Sequence, residues 1–247
     1  MPTRQTVLSY LEDYERRGTS IVFAQPRGLR TIRCSYRRLF SEACRFAREL
    51  EARNIQQGER VLLCGDNSIE WVIAFWGCCL RGAVVVPLDK GSSREFLFSV
   101  ARQTEPKIML ADRDVSAAEH LGMPVLHLEG LSQQIARHAS APYGVEDIDE
   151  EKVVEIIYTS GTTSDPKGVV LTQRNLLANL LPLESEIEKY IKWERFFHPI
   201  RFLNLVPLSH VFGQFMGLFV PQLLGGEVHF QKSFNPSKIM RAAKGNR

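Results

Sequence analysis

The 247 residues are 44% hydrophobic and 24% charged, an ordinary balance for a soluble globular protein long enough to bury a substantial core. The formal net charge of +3 is too small to imply a nucleic-acid partner, and no dense Lys/Arg block with interleaved aromatics argues otherwise; Tyr36-Arg-Arg38 reads as a solvated helix start. Cys34, Cys44, Cys64, Cys78 and Cys79 are odd in number and lack metal-ligand spacing, which speaks against a zinc site and for a reduced, cytoplasmic location.

From the N-terminus, Met1-Pro-Thr-Arg-Gln-Thr leads into the charged segment 11–17 without a secretory apolar region. Ser35 is placed to cap a helix whose Leu39, Ala43, Phe46 and Leu50 share one face, and Gly58-Glu-Arg turns the chain into a strand at 61–64. Asn67 or Ser68 caps an apolar helix through Leu80, Gly82 ends it, and a strand follows at 83–87. That helix holds the most apolar run, Trp71 to Leu80, too short for a bilayer crossing of about 20 residues. Phe212 to Leu224 is broken by Gln214, Pro221 and Gln222, so both runs read as buried helices. Helix 93–103, strand 107–111, a helix near 116–121 and a strand at 124–128 continue the alternation, and the acidic stretch 139–152 reads as a surface connection. Next come strands 153–157 and 169–171, helix 173–181 with Leu176, Leu177, Leu180 and Leu181, a break at Pro182, and a polar amphipathic helix 184–193. Strand 202–206, helix 213–224, a Gly225-Gly226 stop, strand 228–230 and a helix opening at Pro236 behind Asn235 complete the pattern. The rhythm predicts an α/β fold, a layered, mostly parallel sheet flanked by helices, with ligands beyond the carboxyl ends of the strands.

Between the strands at 153–157 and 169–171 lies Tyr158-Thr-Ser-Gly-Thr-Thr-Ser-Asp-Pro-Lys167-Gly168. Gly161 permits a positive φ that turns successive N–H groups toward one point. Ser160, Thr162, Thr163 and Ser164 add hydroxyls, and Lys167 adds a mobile cation suited to phosphate oxygens. Composition alone leaves two readings open, a phosphate-binding loop and an ordinary hydrophilic turn. A Walker A loop is not among them, because Pro166 and Gly168 stand where that motif has Gly and a Mg²⁺-binding Ser or Thr.

In its order this stretch resembles Tyr-Thr-Ser-Gly-Thr-Thr-Gly-x-Pro-Lys-Gly, the signature of the AMP-forming acyl-adenylating enzymes, departing from it at Ser164. A second stretch, Leu205-Val-Pro-Leu-Ser-His210-Val-Phe-Gly213, is similar to the same superfamily's Pro-Leu-x-His-x-x-Gly. The resemblance implies that Thr159, Ser160, Gly161, Thr162, Thr163, Ser164 and Lys167 hold ATP phosphates. It implies further that His210, Val211, Phe212 and Gly213 border the substrate pocket. On composition alone a lone histidine among apolar residues is more often a packing residue.

The resemblance also implies a reaction in which a carboxylate attacks the α-phosphate of ATP and coenzyme A displaces AMP, with Mg²⁺ held by residues mostly outside this chain. Residues 1–247 are then expected to be the N-terminal portion of the large domain, with the phosphate loop at 158–168 and the C-terminal lid domain absent. Val211, Phe212, Phe215 and Met216 suggest an acyl, fatty acid over a polar one, though they suit a helix core equally. Ile187, Tyr190, Ile191, Trp193, Phe196 and Phe197 belong to a solvated helix or to a peripheral membrane contact. Apolar faces expected to pack on later parts of the domain would favour self-association. A truncated, non-catalytic nucleotide-binding or interaction module is the alternative to an enzyme fragment.

Overall fold

The computed structural model describes residues 4–145, 148–159, 166–194 and 199–231. The helix expected from Pro236 lies outside them. In chain order the elements begin with α1 (Leu8–Arg17), β1 (Ile21–Arg27), β2 (Arg30–Ser35), α2 (Tyr36–Ala52), β3 (Arg60–Cys64), α3 (Ile69–Arg81), β4 (Val84–Leu88), α4 (Arg94–Thr104), β5 (Ile108–Ala111) and β6 (Val125–His127). There follow α5 (Leu131–Gln134), β7 (Val153–Thr159), β8 (Lys167–Thr172), α6 (Gln173–Glu194), β9 (Arg201–Asn204), α7 (Val211–Gln214), α8 (Val220–Leu223) and β10 (Glu227–Phe230).

The local signals act as expected. Ser35, Ser68 and Ser93 each accept the backbone N–H of the third residue on, so α2, α3 and α4 start on side-chain caps. Gly82 ends α3 at φ 71°, a left-handed conformation that costs glycine little. Of the two caps considered for α3 it is Ser68 that serves, which frees Asn67 for another task.

The layering is richer than one sheet. Strands β6-β5-β3-β4-β7-β8 form a six-stranded sheet, parallel except for the β7–β8 hairpin, and β2-β1-β10-β9 form a second sheet of four. Helix α3 is buried from Ile69 to Leu80 and touches β3 and β4 of one sheet and β1 of the other. A helix apolar all round is the expected filling between two layers. Trp71, Phe75 and Trp76 lie at its centre, with Trp76 edge-on to Tyr14 of α1 and to Phe219.

Three expectations change. The helix near 116–121 is a single 3₁₀ turn, Ser116–His120. Pro182 does not divide a pair of helices but sits inside the continuous α6. An interior proline costs a helix about 3 kcal/mol; here Leu176, Leu177 and Leu180 are buried before it, and after it Arg4 grips the carboxylate of Glu184. Helix 213–224 starts earlier, at Val211, and carries a π-helical turn at Phe215–Phe219 between α7 and α8. Ile187, one of the residues considered for a membrane surface, packs against the main core. No helix among the described residues is long and apolar enough to cross a membrane.

Candidate functional site

The carboxyl ends of β3, β4, β5 and β7 lie side by side, as the parallel register requires. Lys90, two residues past β4, ties three of them together: its Nζ lies 3.0 Å from Asp66, 3.3 Å from Asp112 and 2.8 Å from Asp114. Partial burial works against that ammonium, but its hydrogen bonds to Asp114 and Asp66 and the charge of Asp112 hold its pKa above the ordinary lysine value. It is a fixed structural charge, not a proton donor.

The hairpin of β7 and β8 ends in the register pair Thr159↔Lys167, so the phosphate loop leaves from the carboxyl end of β7. Ser160, Gly161, Thr162, Thr163 and Ser164 lie outside the described residues, as does the side chain of Thr159. Lys167 is exposed at the hairpin's mouth. The base of the loop is well defined. Tyr158 Oη donates to Gln103 Oε1 at 3.1 Å, and Gln103 Nε2 donates to the carbonyl of Pro166 at 3.3 Å. One α4 glutamine therefore spans both ends of the loop. Gly168 is paired with Tyr158, and a β-carbon there would lie 2.8 Å from Ile156 Cγ2 and 2.9 Å from Tyr158 Cζ. The glycine that closes the motif makes room for the tyrosine that opens it.

Asn67 holds the second motif. Its Nδ2 donates to Asn204 Oδ1 (2.6 Å) and to the carbonyl of Val206 (2.8 Å), and its Oδ1 accepts the N–H of Leu208 (2.8 Å). The start of α3 thus fixes the segment running from β9 to His210. Gly213 and Gly217 let the following helix lie down on that segment. A β-carbon on Gly213 would sit 1.9 Å from Pro207 O, and one on Gly217 would sit 2.5 Å from Asn204 Nδ2.

These two constructions meet. A cavity of about 390 Å³ is lined by Pro87, Leu88, Asp89, Ser93, Phe96, Tyr158, Ser209 and His210, among others. His210 is exposed to it, not packed in the core, so the packing alternative does not hold. Val211 and Phe212 do not line this cavity; they face outward at 39% and 62% exposure, while Gly213 is buried against Pro207. Sequence reading picked out His210 and the loop but not Gln103, Asn67 or Lys90, whose roles depend on partners remote in the chain. Among the described residues no group of three or more His, Cys, Asp or Glu is arranged to hold a metal ion. The Lys90 ammonium, set among Asp66, Asp112 and Asp114, offsets only part of their charge.

Comparison with known proteins agrees with this geometry. The chain is 30% identical over 190 residues to the mitochondrial malonate–CoA ligase of Xenopus laevis, covering 73% of this chain and 32% of that protein. It is 26% identical over 249 residues to the long-chain-fatty-acid–CoA ligase ACSBG2 of Homo sapiens, covering 91% and 36%. Among solved structures, ATP-bound MatB from Rhodopseudomonas palustris superposes with a TM-score of 0.76 at 26% identity, over 95% of this chain and 47% of that one. The chain therefore spans about a third of the curated relatives and just under half of that structure. The profile of the AMP-binding enzymes matches residues 14–245, and so the two motifs that meet at this cavity belong to one known design: the chain is a member of the AMP-binding enzyme family.

Proposed function

We propose that this chain is the N-terminal part of an AMP-forming acid–thiol ligase that activates a carboxylic acid, fatty in class, with ATP and passes the acyl group to coenzyme A. The observation that carries the reading is the convergence of Tyr158, at the base of the loop, and His210 on one cavity. ATP would lie with its β- and γ-phosphates in residues 159–164 and against Lys167. The acid carboxylate, bordered by His210, would attack the α-phosphate; a P–O bond forms to the acid, the bond to pyrophosphate breaks, and a thiol later displaces AMP. The chain's share is positioning and charge neutralisation. Mg²⁺ would come with the nucleotide and supply charge stabilisation there; among the described residues no cluster of His, Cys, Asp or Glu provides its ligands.

An apolar acid is favoured by Pro87, Leu88 and Phe96, which line the cavity together with His210. The five cysteines are buried free thiols, with Cys34 and Cys64 both pushed up to about 12 by burial. That supports, as part of the proposal, a reducing cytoplasmic home. The second reading is a non-catalytic nucleotide-binding module, for which the loop base held by Gln103 and the exposed Lys167 would suffice.

Calorimetric titration with ATP separates the readings from a chain that binds nothing. Wild type should bind, Lys167→Ala should weaken binding about tenfold, and His210→Ala should leave the melting temperature nearly unchanged because its ring is exposed. Equal binding by wild type and Lys167→Ala would remove the phosphate assignment. Pyrophosphate release with ATP, Mg²⁺ and fatty acids should stay at background for the chain alone; robust acid-dependent release would place the whole catalytic set within it.

Self-association is the remaining part of the proposal. Among the described residues β8 ends its sheet, and its neighbouring residues Val169 and Val170 are 50% and 51% exposed although they point to opposite faces. A bare edge apolar on both faces invites strand pairing. Sedimentation should show concentration-dependent dimers that Val170→Lys disperses; a monomer at every concentration would exclude pairing through this edge.

A further inference from the structure

Beneath the His210 turn two polar side chains are wholly enclosed. Glu155, in mid-β7 between Val85 of β4 and Leu171 of β8, and Gln214, the last residue of α7, both have 0% exposure. Gln214 Nε2 donates to Glu155 Oε2 at 2.8 Å, while Glu155 Oε1 and Gln214 Oε1 have no partner. Among the described residues no cation pairs with Glu155; β4 presents only apolar residues and the other titratable group near it is Cys79 of α3.

An ionised carboxylate here would be an uncompensated charge, and it would leave two acceptors in the core without a donor. One proton on Glu155 Oε1 cures both faults. The acid O–H then donates to Gln214 Oε1 while Gln214 Nε2 donates to the acid's other oxygen, closing a ring of two hydrogen bonds. We propose that Glu155 and Gln214 form a neutral, reciprocal acid–amide pair and are positioning residues, holding the turn that carries His210 against the strand that leads into the phosphate loop.

Two further observations give the pair this task. α7 is a single turn whose N-cap, His210, makes no side-chain capping bond, so its direction is not set by intrinsic helix stability. Directly after Gln214 the chain takes a π-helical turn, where the backbone ladder changes register. The tether therefore acts at the point where α7 could pivot. Burial, opposed only by the amide hydrogen bond, pushes the Glu155 carboxyl up to about 7, so the neutral form prevails below neutrality.

The positioning role rests on the proposed site, but the pair itself can be tested without it. The full chain, with its glutamate carboxyl carbons and backbone amides labelled, is titrated by NMR. Glu155 should be protonated at pH 6 with a midpoint near 7, and the amides of residues 211–215 should follow the same midpoint. In Glu155→Gln, whose amide can make the same two bonds, those amides should lose that titration. Gln214→Leu, useful if the first variant fails to fold, should raise the Glu155 midpoint and uncouple the 211–215 amides from it. A carboxyl already ionised at pH 6 overturns the pair; a protonated carboxyl to which the 211–215 amides do not respond overturns its positioning role. ATP affinity then reads the link to function. From pH 6 to pH 8 wild type should weaken about tenfold relative to Glu155→Gln, following the loss of the neutral form. No ATP binding by either protein would count against the proposed function and leave the NMR result standing, whereas parallel pH profiles would separate the pair from the site.

Discussion

Gly213→Ala is expected to destabilise the chain by about 3 kcal/mol, near the upper end for forced overpacking, and to lower its melting temperature by roughly 10 °C. The added carbon would fall 1.9 Å from the carbonyl oxygen and 2.6 Å from the carbonyl carbon of Pro207. Both are backbone atoms, so no rotamer change relieves the clash. Either α7 lifts off the segment 205–209, or that segment pulls against the three hydrogen bonds from Asn67. Both movements displace His210 from the cavity wall. Gly144→Ala is the control, since nothing lies within 4 Å of its β-carbon position, and it should stay within about 0.5 kcal/mol of wild type. Thermal and urea melts of the two variants decide the matter: similar stabilities would mean that α7 is not seated on Pro207.

That glycine shows what a sequence can and cannot disclose. The resemblance located Gly213 within a motif, yet its reason, the carbonyl of Pro207 lying where a side chain would be, is a three-dimensional fact. The elements of the six-stranded sheet were legible because their signals are local. Serine caps at 35, 68 and 93, the left-handed Gly82, and the apolar runs of β3, β4 and β5 each act within a few residues. Of the second sheet, β9 and β10 were legible, whereas β1 and β2 were not. β1 contains Pro26 and β2 carries Arg30 and Arg33, residues that argue against a central strand. They are tolerated because β10 pairs with β1 only around Phe23 and Ala24, short of the proline. The second partner of β1, the strand β10, arrives some two hundred residues later, and no local signal announces their pairing. The same limit applied to the site. A serine- and threonine-rich loop ending in lysine is readable as a phosphate binder, whereas Gln103 and Asn67 are ordinary polar residues until folding brings Tyr158 and Pro166, or Asn204 and Leu208, into their reach.

The Glu155 carboxyl should also leave a signature in the stability of the whole chain. Its ordinary value of 4.5 applies to the unfolded state, and burial raises it to about 7 in the native state. Between those values the folded chain keeps a proton that the unfolded chain gives up. Native stability therefore falls as pH rises from about 4.5 to about 7, and the loss persists above the upper value. Integrated over that interval, the penalty at pH 8 is on the order of 3 kcal/mol. Glu155→Gln has no proton to lose and can keep a bond to Gln214 in each direction. It should match wild type near pH 4.5 and exceed it by up to ~3 kcal/mol at pH 8. This is an unusual sign for a change at a fully buried residue, where most substitutions destabilise. Cys79, the neighbouring thiol held neutral by burial, begins to contribute only in more alkaline solution, which keeps the window clean. Urea unfolding of both proteins at half-unit steps from pH 4.5 to 8 gives the comparison. A wild-type curve parallel to that of Glu155→Gln would show that the carboxyl titrates normally despite its burial, and would remove the physical basis for a neutral pair beneath His210.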